Sequence, residues 1–321
     1  MKAQRVIFER EKRIYDKALL KFKGVDGFDV YNCSVPFMYK GKRHIYGRVE
    51  KRSEWANSHV RLFVETGKDE YSVLLHYRSF ELEDPYIANI KGEMIFGGTH
   101  VRKDKGGMSS YFGYFYRGTP AHLTYFTTGP NYMKDIRLVD LPDGRIGVFS
   151  RPRLGTRASI GWTIINTIEE LGEDVISKAK PLDILGNDMW GGVNQAYLLT
   201  SGKVGCIAHY SYEDKVLNIE ADQTVYLNYA FVLDPITRTI EGGKIIGTQG
   251  CYPPCPAKIN SLHDCAFTSG ITMRSDGKCD LYSGVGDTHE GRITIDYPFE
   301  GYGQIIDNLT FHDNAPIKSS L

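Results

Sequence analysis

Two carboxylates, Glu83 and Asp84, stand directly before Pro85 in the segment LEDPYI. An apolar run follows, then a Lys-Gly-Glu turn and a second apolar run, which is the pattern of a β-hairpin. Proline fixes its own φ, so the acids enter the hairpin beside a rigid backbone. Neighbouring strand residues point to opposite faces, so Glu83 can raise the pKa of Asp84 only where both side chains face one way. Asp84 is a candidate general acid, and the alternative is an aspartate that only shapes the turn.

The composition argues against some partners and is compatible with a carbohydrate ligand. The 321 residues include 39 Lys plus Arg and 39 Asp plus Glu, so the formal net charge is zero and we expect no nucleic acid or membrane partner. The sequence has no apolar run of membrane-spanning length and no signal-peptide pattern in its charged first 24 residues, so we expect a cytoplasmic location. Tyrosine (21) exceeds phenylalanine (15), which is typical of carbohydrate clefts and equally of strand-rich proteins.

The six cysteines are expected to be free thiols in a reducing compartment. A zinc site is the alternative, built from Cys251, Cys255, His263 and Cys265. The proline-rich segment CYPPCPAK lacks the close cysteine pairs of structural zinc sites. We therefore expect no metal.

The rest of the chain consists of short strands between Gly, Asp, Asn and Pro turns, with helical spacing only at residues 4–22 and 164–179. Five segments share one plan of polar residue, apolar strand, glycine turn, apolar strand and polar residue. They are residues 29–50, 82–101, 133–153, 192–212 and 263–287. Hairpins that recur every roughly 50 to 70 residues predict an all-β fold, a five-bladed β-propeller with a short N-terminal helix, and the alternative is a two-sheet sandwich. We expect an N-terminal helical extension over residues 1–27 and one propeller domain over residues 28–321.

Polar residues at equivalent hairpin ends would meet in one axial pocket of such a propeller, although they are distant in sequence. Asp84 lies at the entrance of an innermost strand in this arrangement. The sequence therefore predicts one shared site rather than five separate ones.

Five motifs, in the same order along the chain, resemble those of the β-mannoside phosphorylases of glycoside hydrolase family 130 and of the related glycosyltransferase family 108. They are LEDPYI, MKDIRLVDLPDGRIGVFSRP, GKVGCIAHYSY, YLNYAFVLDPITRTI and CDLYSGVGDTHEGRITI. The similarity spans about residues 29–300, and three departures from the first family's pattern bring the chain nearer to the second. The departures are Tyr86, Ser150 and Ser211.

The resemblance implies an enzyme that reversibly converts a β-1,2-linked manno-oligosaccharide plus phosphate to α-mannose 1-phosphate, with inversion. Asp84 aligns with the proton donor, which relays a proton through a substrate hydroxyl, and Asp135 is the runner-up. The implied phosphate ligands are Lys134, Arg151, His209 and Arg102, with Arg153 as a further candidate. The implied sugar ligands are Asn32, Arg48, Asp135, Asn194 and Asp287.

Two of these residues have plain structural alternatives. Lys134 beside Asp135 is equally a surface ion pair, and His209 is equally a satisfied core histidine. Three candidate phosphate ligands at equivalent strand ends, Lys134, Arg151 and His209, favour the phosphate interpretation.

The number of carboxylates separates the competing reactions. An inverting phosphorylase needs one acid because phosphate is itself the nucleophile, whereas an inverting hydrolase needs a second carboxylate as base, for which Glu50 and Asp287 are candidates. A non-catalytic carbohydrate-binding propeller is the third hypothesis. The expected partners are an oligosaccharide and a sugar phosphate, with inorganic phosphate as co-substrate and no cofactor. The N-terminal helix also offers a surface for a homo-oligomer.

Overall fold

Short antiparallel strands joined by tight turns make up most of the protein. The computed structural model describes residues 1–104, 107–155, 157–186, 188–214, 223–306 and 309–313. Across these ranges the chain is mostly strand with little helix, which confirms the predicted all-β class. None of the helices in this part of the chain has the length and apolar character needed to cross a membrane.

The strands follow one another in five groups. The N-terminal part and the first group contain α1 (Lys2–Glu11), β1 (Asp16–Leu19), β2 (Lys21–Lys23), β3 (Asp29–Tyr31), β4 (Phe37–Tyr39), β5 (Lys42–Glu50), β6 (His59–Gly67) and β7 (Glu70–Val73). The second group contains β8 (Glu83–Ile90), β9 (Glu93–Asp104), β10 (Gly107–Thr119) and β11 (His122–Thr128). The third contains β12 (Arg137–Asp140), β13 (Ile146–Ser150), β14 (Arg153–Leu154), β15 (Arg157–Ala158), β16 (Ile160–Ile165), α2 (Glu173–Ser177) and β17 (Lys180–Leu182). The fourth contains β18 (Met189–Leu198), β19 (Val204–Asp214), β20 (Gln223–Leu233) and β21 (Ile240–Gly247). The fifth contains β22 (Ala266–Met273), β23 (Cys279–Val285) and β24 (His289–Ile295), and β25 (Thr310–Phe311) follows it.

Sequential strands pair antiparallel within each group. The second, third and fourth groups form four-stranded sheets in the orders β8-β9-β10-β11, β12-β13-β16-β17 and β18-β19-β20-β21. In the first group, β5 pairs with both β3 and β4 and continues to β6 and β7. In the fifth group, β1 from the N-terminus pairs with β24 as the outer strand. A contact between β3 and β24 joins the first and fifth groups.

The five predicted hairpins are confirmed, each with a glycine in its turn. These are Gly41, Gly92, Gly144, Gly202 and Gly277, with φ angles from +71° to +86°. Glycine adopts this left-handed region without the steric cost that a Cβ brings. The turn chemistry in the sequence therefore fixes where each hairpin reverses.

In the described part of the chain the hydrophobic core is divided into five clusters, and four of them lie where consecutive groups meet. Representative pairs across these four boundaries are Phe37 and Phe96, Phe115 and Val148, Trp162 and Phe231, and Ile207 and Leu281. The fifth cluster brings Tyr282 of the last group against Phe63 of the first. Neighbouring groups also touch through their inner strands, β5 with β8, β8 with β12, β12 with β18 and β18 with β22. The end of β5 thereby meets the beginning of β8, where Arg48 binds Glu83 and Asp84.

Both predicted helices are wrong in part. α1 ends at Glu11, and residues 16–23 form β1 and β2, which pair with β24 and β7. The open edges of those strands present backbone groups that need hydrogen bonds, and pairing there outweighs a weak helical periodicity. The second predicted helix, over residues 164–179, is reduced to α2 and a 3₁₀ turn at Ile168–Glu170, because Gly172 is fully extended between them.

Arg292 of β24 ties the N-terminal strands to the fifth group, and its removal is expected to destabilise the fold. Its guanidinium donates to Asp69 and Asp16 at 2.9 Å each, and to Asp280 at 3.3 Å, from a side chain that is 5% exposed. Arg292→Met leaves these acids without their shared cation. We expect a loss of about 3 kcal/mol in the free energy of unfolding, measured by urea denaturation, because a buried charge loses its partner.

Arg52→Met is the matched control, since Arg52 makes the same bidentate type of ion pair with Asp29 at an exposed position. We expect it to cost less than about 1 kcal/mol. Equal losses in the two variants would show that burial of Arg292 has no special weight.

Candidate active site

Arg48 on β5 gathers acidic side chains from the first two groups. Its Nη1 donates to Asp84 Oδ1 at 2.9 Å, and its Nη2 donates to Glu83 Oε1 at 2.9 Å. The same Nη2 lies 3.4 Å from Glu50 Oε2, and Nε donates to Ser58 Oγ at 2.8 Å. The Arg48 side chain is buried, so its planar fork is held in one orientation.

Glu83 and Asp84 both reach Arg48 although neighbouring strand residues normally point apart. Asp84 has a φ of +47°, and the register between β8 and β9 shifts between Glu83 and Tyr86. This bulge breaks the alternation and turns both carboxylates toward the guanidinium. Burial raises the pKa of Glu83, Arg48 lowers it in part, and the charge of Asp84 raises it further.

Asp84 lies between two cations. Burial alone raises the pKa of Asp84, but Arg48 and Lys134 outweigh burial and hold that pKa below its usual range. Lys134 Nζ lies 3.9 Å from Asp84 Oδ2, and Asn32 Nδ2 donates to Oδ1 at 3.0 Å. Asp84 is therefore ionised at neutral pH in the free protein.

Asn32 links Asp84 to Asp287 of the fifth group. The Asn32 amide nitrogen also lies 3.4 Å from Asp287 Oδ1. Burial raises the pKa of Asp287, and Arg48 lowers it in part. Asn32 Oδ1 is buried without a hydrogen-bond partner among the described residues. It packs against Gly284, where a Cβ would lie 1.8 Å from this oxygen.

Asp135 organises the other half of the site. Arg151 Nη1 donates to Asp135 Oδ2 at 2.8 Å, and Arg137 Nη2 lies 3.7 Å from Oδ1. Burial raises the pKa of Asp135, but the guanidinium groups of Arg151 and Arg137 hold it well below its usual range. Asp135 therefore accepts a hydrogen bond from one guanidinium, that of Arg151, and its buried Oδ1 has no hydrogen-bond partner among the described residues.

His209 is fully buried and neutral. Burial lowers the pKa of His209 to about 3, although the charge of Asp135 acts in the opposite direction. Its Nδ1 lies 2.8 Å from Asn194 Oδ1, so Nδ1 carries the proton and Nε2 is an acceptor. Within the described part of the chain Nε2 has no hydrogen-bond partner, and it lies 4.0 Å from Asp135 Oδ2. The imidazole therefore offers a lone pair rather than a positive charge.

A cavity of about 500 Å³ opens beside Lys134, Arg151 and His209. Its other lining residues are Tyr111, Tyr132, Arg153, Arg157, Ala158, Trp190, Glu213, Tyr226 and Phe267. Cations bind oxyanions, and aromatic rings present flat apolar faces to sugars. The cavity is thus suited to an anion beside a sugar.

Most of the residues predicted from the sequence come together in this site. They are Asn32, Arg48, Asp84, Lys134, Asp135, Arg151, Asn194, His209 and Asp287. Arg102 does not join them, since it is exposed on β9 with its guanidinium 5.2 Å from the Phe112 ring centre. Arg153 lines the cavity instead, and its Nη2 donates to Tyr111 Oη at 3.1 Å. His209 lies within β19 rather than at its end.

Two residues that position Arg48 were not identified from the sequence, namely Glu50, which contacts it, and Lys258, which contacts Glu50. From the sequence Glu50 has only the role of a candidate base, yet Glu50 lies two residues from Arg48 and so on the same strand face, which the two-residue period of a strand indicates. Lys258 binds Glu50 from the loop after β21, and nothing in the sequence of that loop indicates it.

The six cysteines are all unpaired. Among the residues that the structure describes, no group of three or more His, Cys, Asp or Glu side chains is placed to hold a metal ion, and this covers Cys251, Cys255, His263 and Cys265.

The same fold is found in a solved structure of low sequence identity. A solved member of the glycoside hydrolase family 130 mannoside phosphorylases, from a group described as hydrolases of β-1,2 mannosidic linkages, matches with a TM-score of 0.58 at 13% identity. The match covers 93% of this chain and 99% of that chain, and at this identity it shows the fold alone.

The chain belongs to the DUF1861 family, a protein family of unknown function whose model matches residues 6–301. MPT-4 of Leishmania mexicana, a mannose phosphorylase solved with a phosphate ion, is 67% identical over 97% of each chain, with a TM-score of 0.94. MPT-1 of the same organism, a GDP-Man-dependent mannosyltransferase, is 54% identical over 97% of this chain and 99% of that chain, with a TM-score of 0.92. A comparison with curated proteins found no match. The resemblance to mannoside phosphorylases inferred from the motifs is confirmed.

The cavity is expected to bind inorganic phosphate through Arg151. Phosphate at 100 times its dissociation constant is expected to stabilise the wild-type protein by about 2.7 kcal/mol, seen as a rise in Tm. Arg151→Gln is expected to remove most of that rise. Arg145 lies at the other end of the β12–β13 hairpin, in an exposed ion pair with Asp143. Arg145→Gln is expected to keep the rise in Tm. An equal rise in Arg151→Gln and the wild type would place the phosphate elsewhere.

Proposed function

We propose that the protein is an inverting phosphorylase that transfers a mannosyl group reversibly between β-1,2-linked manno-oligosaccharides and inorganic phosphate. The observation that carries this proposal is the position of Lys134. Its Nζ lies 3.9 Å from Asp84 Oδ2, and its side chain lines the same cavity as Arg151 and His209. One carboxylic acid beside a cationic cavity is what an inverting phosphorylase requires. The 67% identity to a mannose phosphorylase supports the mannosyl group.

In the degradative direction, phosphate in the cavity attacks the anomeric carbon from the face opposite the leaving sugar. The glycosidic C–O bond breaks as the phosphate oxygen forms the new bond, and the proton of Asp84 reaches the leaving oxygen through a substrate hydroxyl. The products are α-mannose 1-phosphate and a chain shorter by one sugar. Arg48, Asn32 and Asp287 hold the hydroxyls of the reacting mannose, and inorganic phosphate serves as co-substrate without a cofactor.

The charge of Asp84 has to change before it can act as an acid. In the free protein Arg48 and Lys134 keep it ionised. A phosphate dianion at Lys134 and Arg151 adds negative charge nearby and draws Lys134 away from Asp84, and both effects favour the protonated carboxyl. Phosphate binding therefore prepares the acid.

Hydrolysis on this scaffold requires a free second carboxylate, and Glu50 does not supply one. Glu50 Oε1 accepts hydrogen bonds from Ser58 Oγ at 3.0 Å and from the Asn57 backbone N–H at 3.1 Å, while Tyr31 and Lys258 bind Oε2. A carboxylate with both oxygens engaged is a poor base for water.

The proposal includes the five-bladed propeller, in one domain over residues 28–321 with an N-terminal extension over residues 1–27. Five successive antiparallel groups, and a core cluster that brings the last group against the first, support this arrangement. In it the extension would supply β1 as the outer strand of the fifth blade.

We place the enzyme in the cytoplasm, where its six unpaired cysteines would stay reduced. Its partners in this proposal are an oligosaccharide and a sugar phosphate. A homo-oligomer through α1 remains a prediction, to which the exposed Val6 and Ile7 of that helix lend support.

Phosphate dependence tests the reaction. The protein is incubated with a β-1,2-manno-oligosaccharide, with and without inorganic phosphate, and mannose 1-phosphate is followed by ³¹P NMR. We expect product only with phosphate. Asp84→Asn is expected to reduce turnover by at least about 10²-fold, the contribution of a general acid, while sugar binding is retained.

Asp140→Asn is the control, because Asp140 lies at the far end of β12, where it accepts the Lys91 backbone N–H at 2.7 Å. Its turnover is expected to match the wild type. Free mannose formed equally well without phosphate would identify a hydrolase, and turnover with GDP-mannose but not with mannose 1-phosphate would identify a nucleotide-sugar transferase. Either result would overturn the proposal.

The pH dependence is expected to report the change in Asp84. The protonated acid is required, so activity falls as pH rises through the pKa of Asp84. The profile of kcat reports the bound complex and that of kcat/KM for phosphate reports the free enzyme. We expect the falling limb of kcat at higher pH than that of kcat/KM, since the free-enzyme pKa of Asp84 is lowered. Coincident limbs would show that phosphate does not alter the acid.

A further inference from the structure

We propose that Lys258 is a positioning residue for the reaction, because it neutralises Glu50 and so leaves the guanidinium of Arg48 for Asp84 and Glu83. This inference rests on the proposed function, since it concerns the acid of that reaction. Lys258 is not among the residues that line the cavity, and it acts through Glu50 and Arg48.

The ammonium group of Lys258 is enclosed, with a side chain that is 2% exposed. It forms an ion pair with Glu50 Oε2 and donates to Tyr31 Oη at 3.2 Å. It also lies 4.7 Å from the centre of the Trp55 ring, within the range of a cation–π contact. A lysine desolvated to this degree and fixed by three partners has a defined position.

Glu50 is the link between Lys258 and Arg48. Its carboxylate is fully buried, and Arg48 Nη2 lies 3.4 Å from the same Oε2 that binds Lys258. That Nη2 makes a shorter bond, 2.9 Å, to Glu83 Oε1. Arg48 is thus shared between Glu50 on one side and the Glu83–Asp84 pair on the other, and the cation on Glu50 decides how it is shared.

The loop that carries Lys258 also supports Asp287. The Lys258 backbone N–H donates to Gly286 O at 2.8 Å, and Thr288 Oγ1 donates to Pro256 O at 2.6 Å. Gly286 has a φ of +60° and packs closely on Ala257, so that a Cβ at position 286 would lie 3.0 Å from the Ala257 Cα. One loop therefore fixes the turn of Asp287 through its backbone and the orientation of Asp84 through its lysine.

Without the lysine, Glu50 would be a buried carboxylate with Arg48 as its nearest cation. A buried charge without a partner is costly, so Glu50 is expected to draw Arg48 toward itself. The hydrogen bond from Arg48 Nη1 to Asp84 Oδ1, now 2.9 Å, would then weaken. The Asp84 carboxylate would be held less firmly in position, and it would protonate at a higher pH than in the wild type.

Lys258→Met tests this inference, because methionine keeps the length of the chain and removes the charge. We expect kcat to fall by about tenfold to hundredfold, as is usual when a residue that orients a catalytic group is lost. The KM for phosphate is expected to change by less than about threefold. The falling limb of the kcat–pH profile is expected to move to higher pH. A merely structural role would lower the Tm and leave that limb in place.

The double variant Lys258→Met/Glu50→Gln separates charge neutralisation from packing. Removing the charge of Glu50 as well takes away its pull on Arg48, so kcat is expected to recover at least about tenfold over Lys258→Met, a coupling typical of residues in contact. Should Lys258→Met fail to fold, a folded and active double variant supports the inference, and a folded but inactive one overturns it.

Lys203→Met is the matched control. Lys203 makes the same two kinds of contact at a more exposed position, an ion pair with Glu241 at 2.8 Å and a ring contact with Tyr302 at 5.7 Å, and it lies in the turn between β18 and β19. Its kcat and pH profile are expected to match the wild type. An unchanged kcat and pH limb in Lys258→Met, or a double variant no better than the single one, would overturn the inference.

The outcome also distinguishes this inference from the proposed function. If the wild type forms no mannose 1-phosphate from phosphate and oligosaccharide, the proposed function fails. If the wild type turns over and Lys258→Met does so equally well, the proposed function stands and only the role of Lys258 fails.

Discussion

One guanidinium, that of Arg48, contacts more carboxylates than its single charge can neutralise. The three acids around it are Glu50, Glu83 and Asp84. Each unpaired charge in a buried region costs several kcal/mol, so acids persist there only where further cations approach. Lys258 reaches Glu50 from behind, and Lys134 approaches Asp84 from the side of the cavity. The need for a cation beside each buried acid therefore accounts for the positions of Lys258 and Lys134.

Acidic and basic side chains alternate from Arg48 and Asp84 through Lys134 into the cavity. Beyond Lys134 come Asp135 and then Arg151, which donates to Asp135 at 2.8 Å. His209 interrupts the series as a neutral ring, because burial lowers its pKa more than Asp135 raises it. Two of the cations that line the cavity are balanced by acids, Lys134 by Asp84 and Arg151 by Asp135. In the proposed function an arriving phosphate therefore competes with Asp84 for Lys134 and with Asp135 for Arg151.

The sequence predicted the parts of this structure that local chemistry decides. Turn glycines such as Gly92 marked the hairpins because a positive φ excludes most other residues. The N-terminal helix was predicted too long because pairing with β24 and β7 depends on strands distant in the chain. Arg102 was preferred to Arg153 because sequence position does not tell on which side of a strand end a long side chain lies. Lys258 was missed because only tertiary structure brings its loop to Glu50.

Backbone conformation limits which acid can stand at the centre of the site. Asp84, Asp135 and Asp287 have φ angles of +47°, +57° and +54°, and Asn32 has +46°. Apart from glycine, Asp and Asn enter this region most readily, and such conformations persist where the surrounding structure enforces them, often at functional sites. A short side chain on a constrained backbone has few rotamers, so its carboxylate is held more firmly than that of a glutamate. The supporting acid Glu50 lies on an extended strand instead, where a longer side chain is tolerated. The same geometry that makes an aspartate acceptable at position 84 therefore also fixes the carboxyl group where the cavity and Arg48 meet.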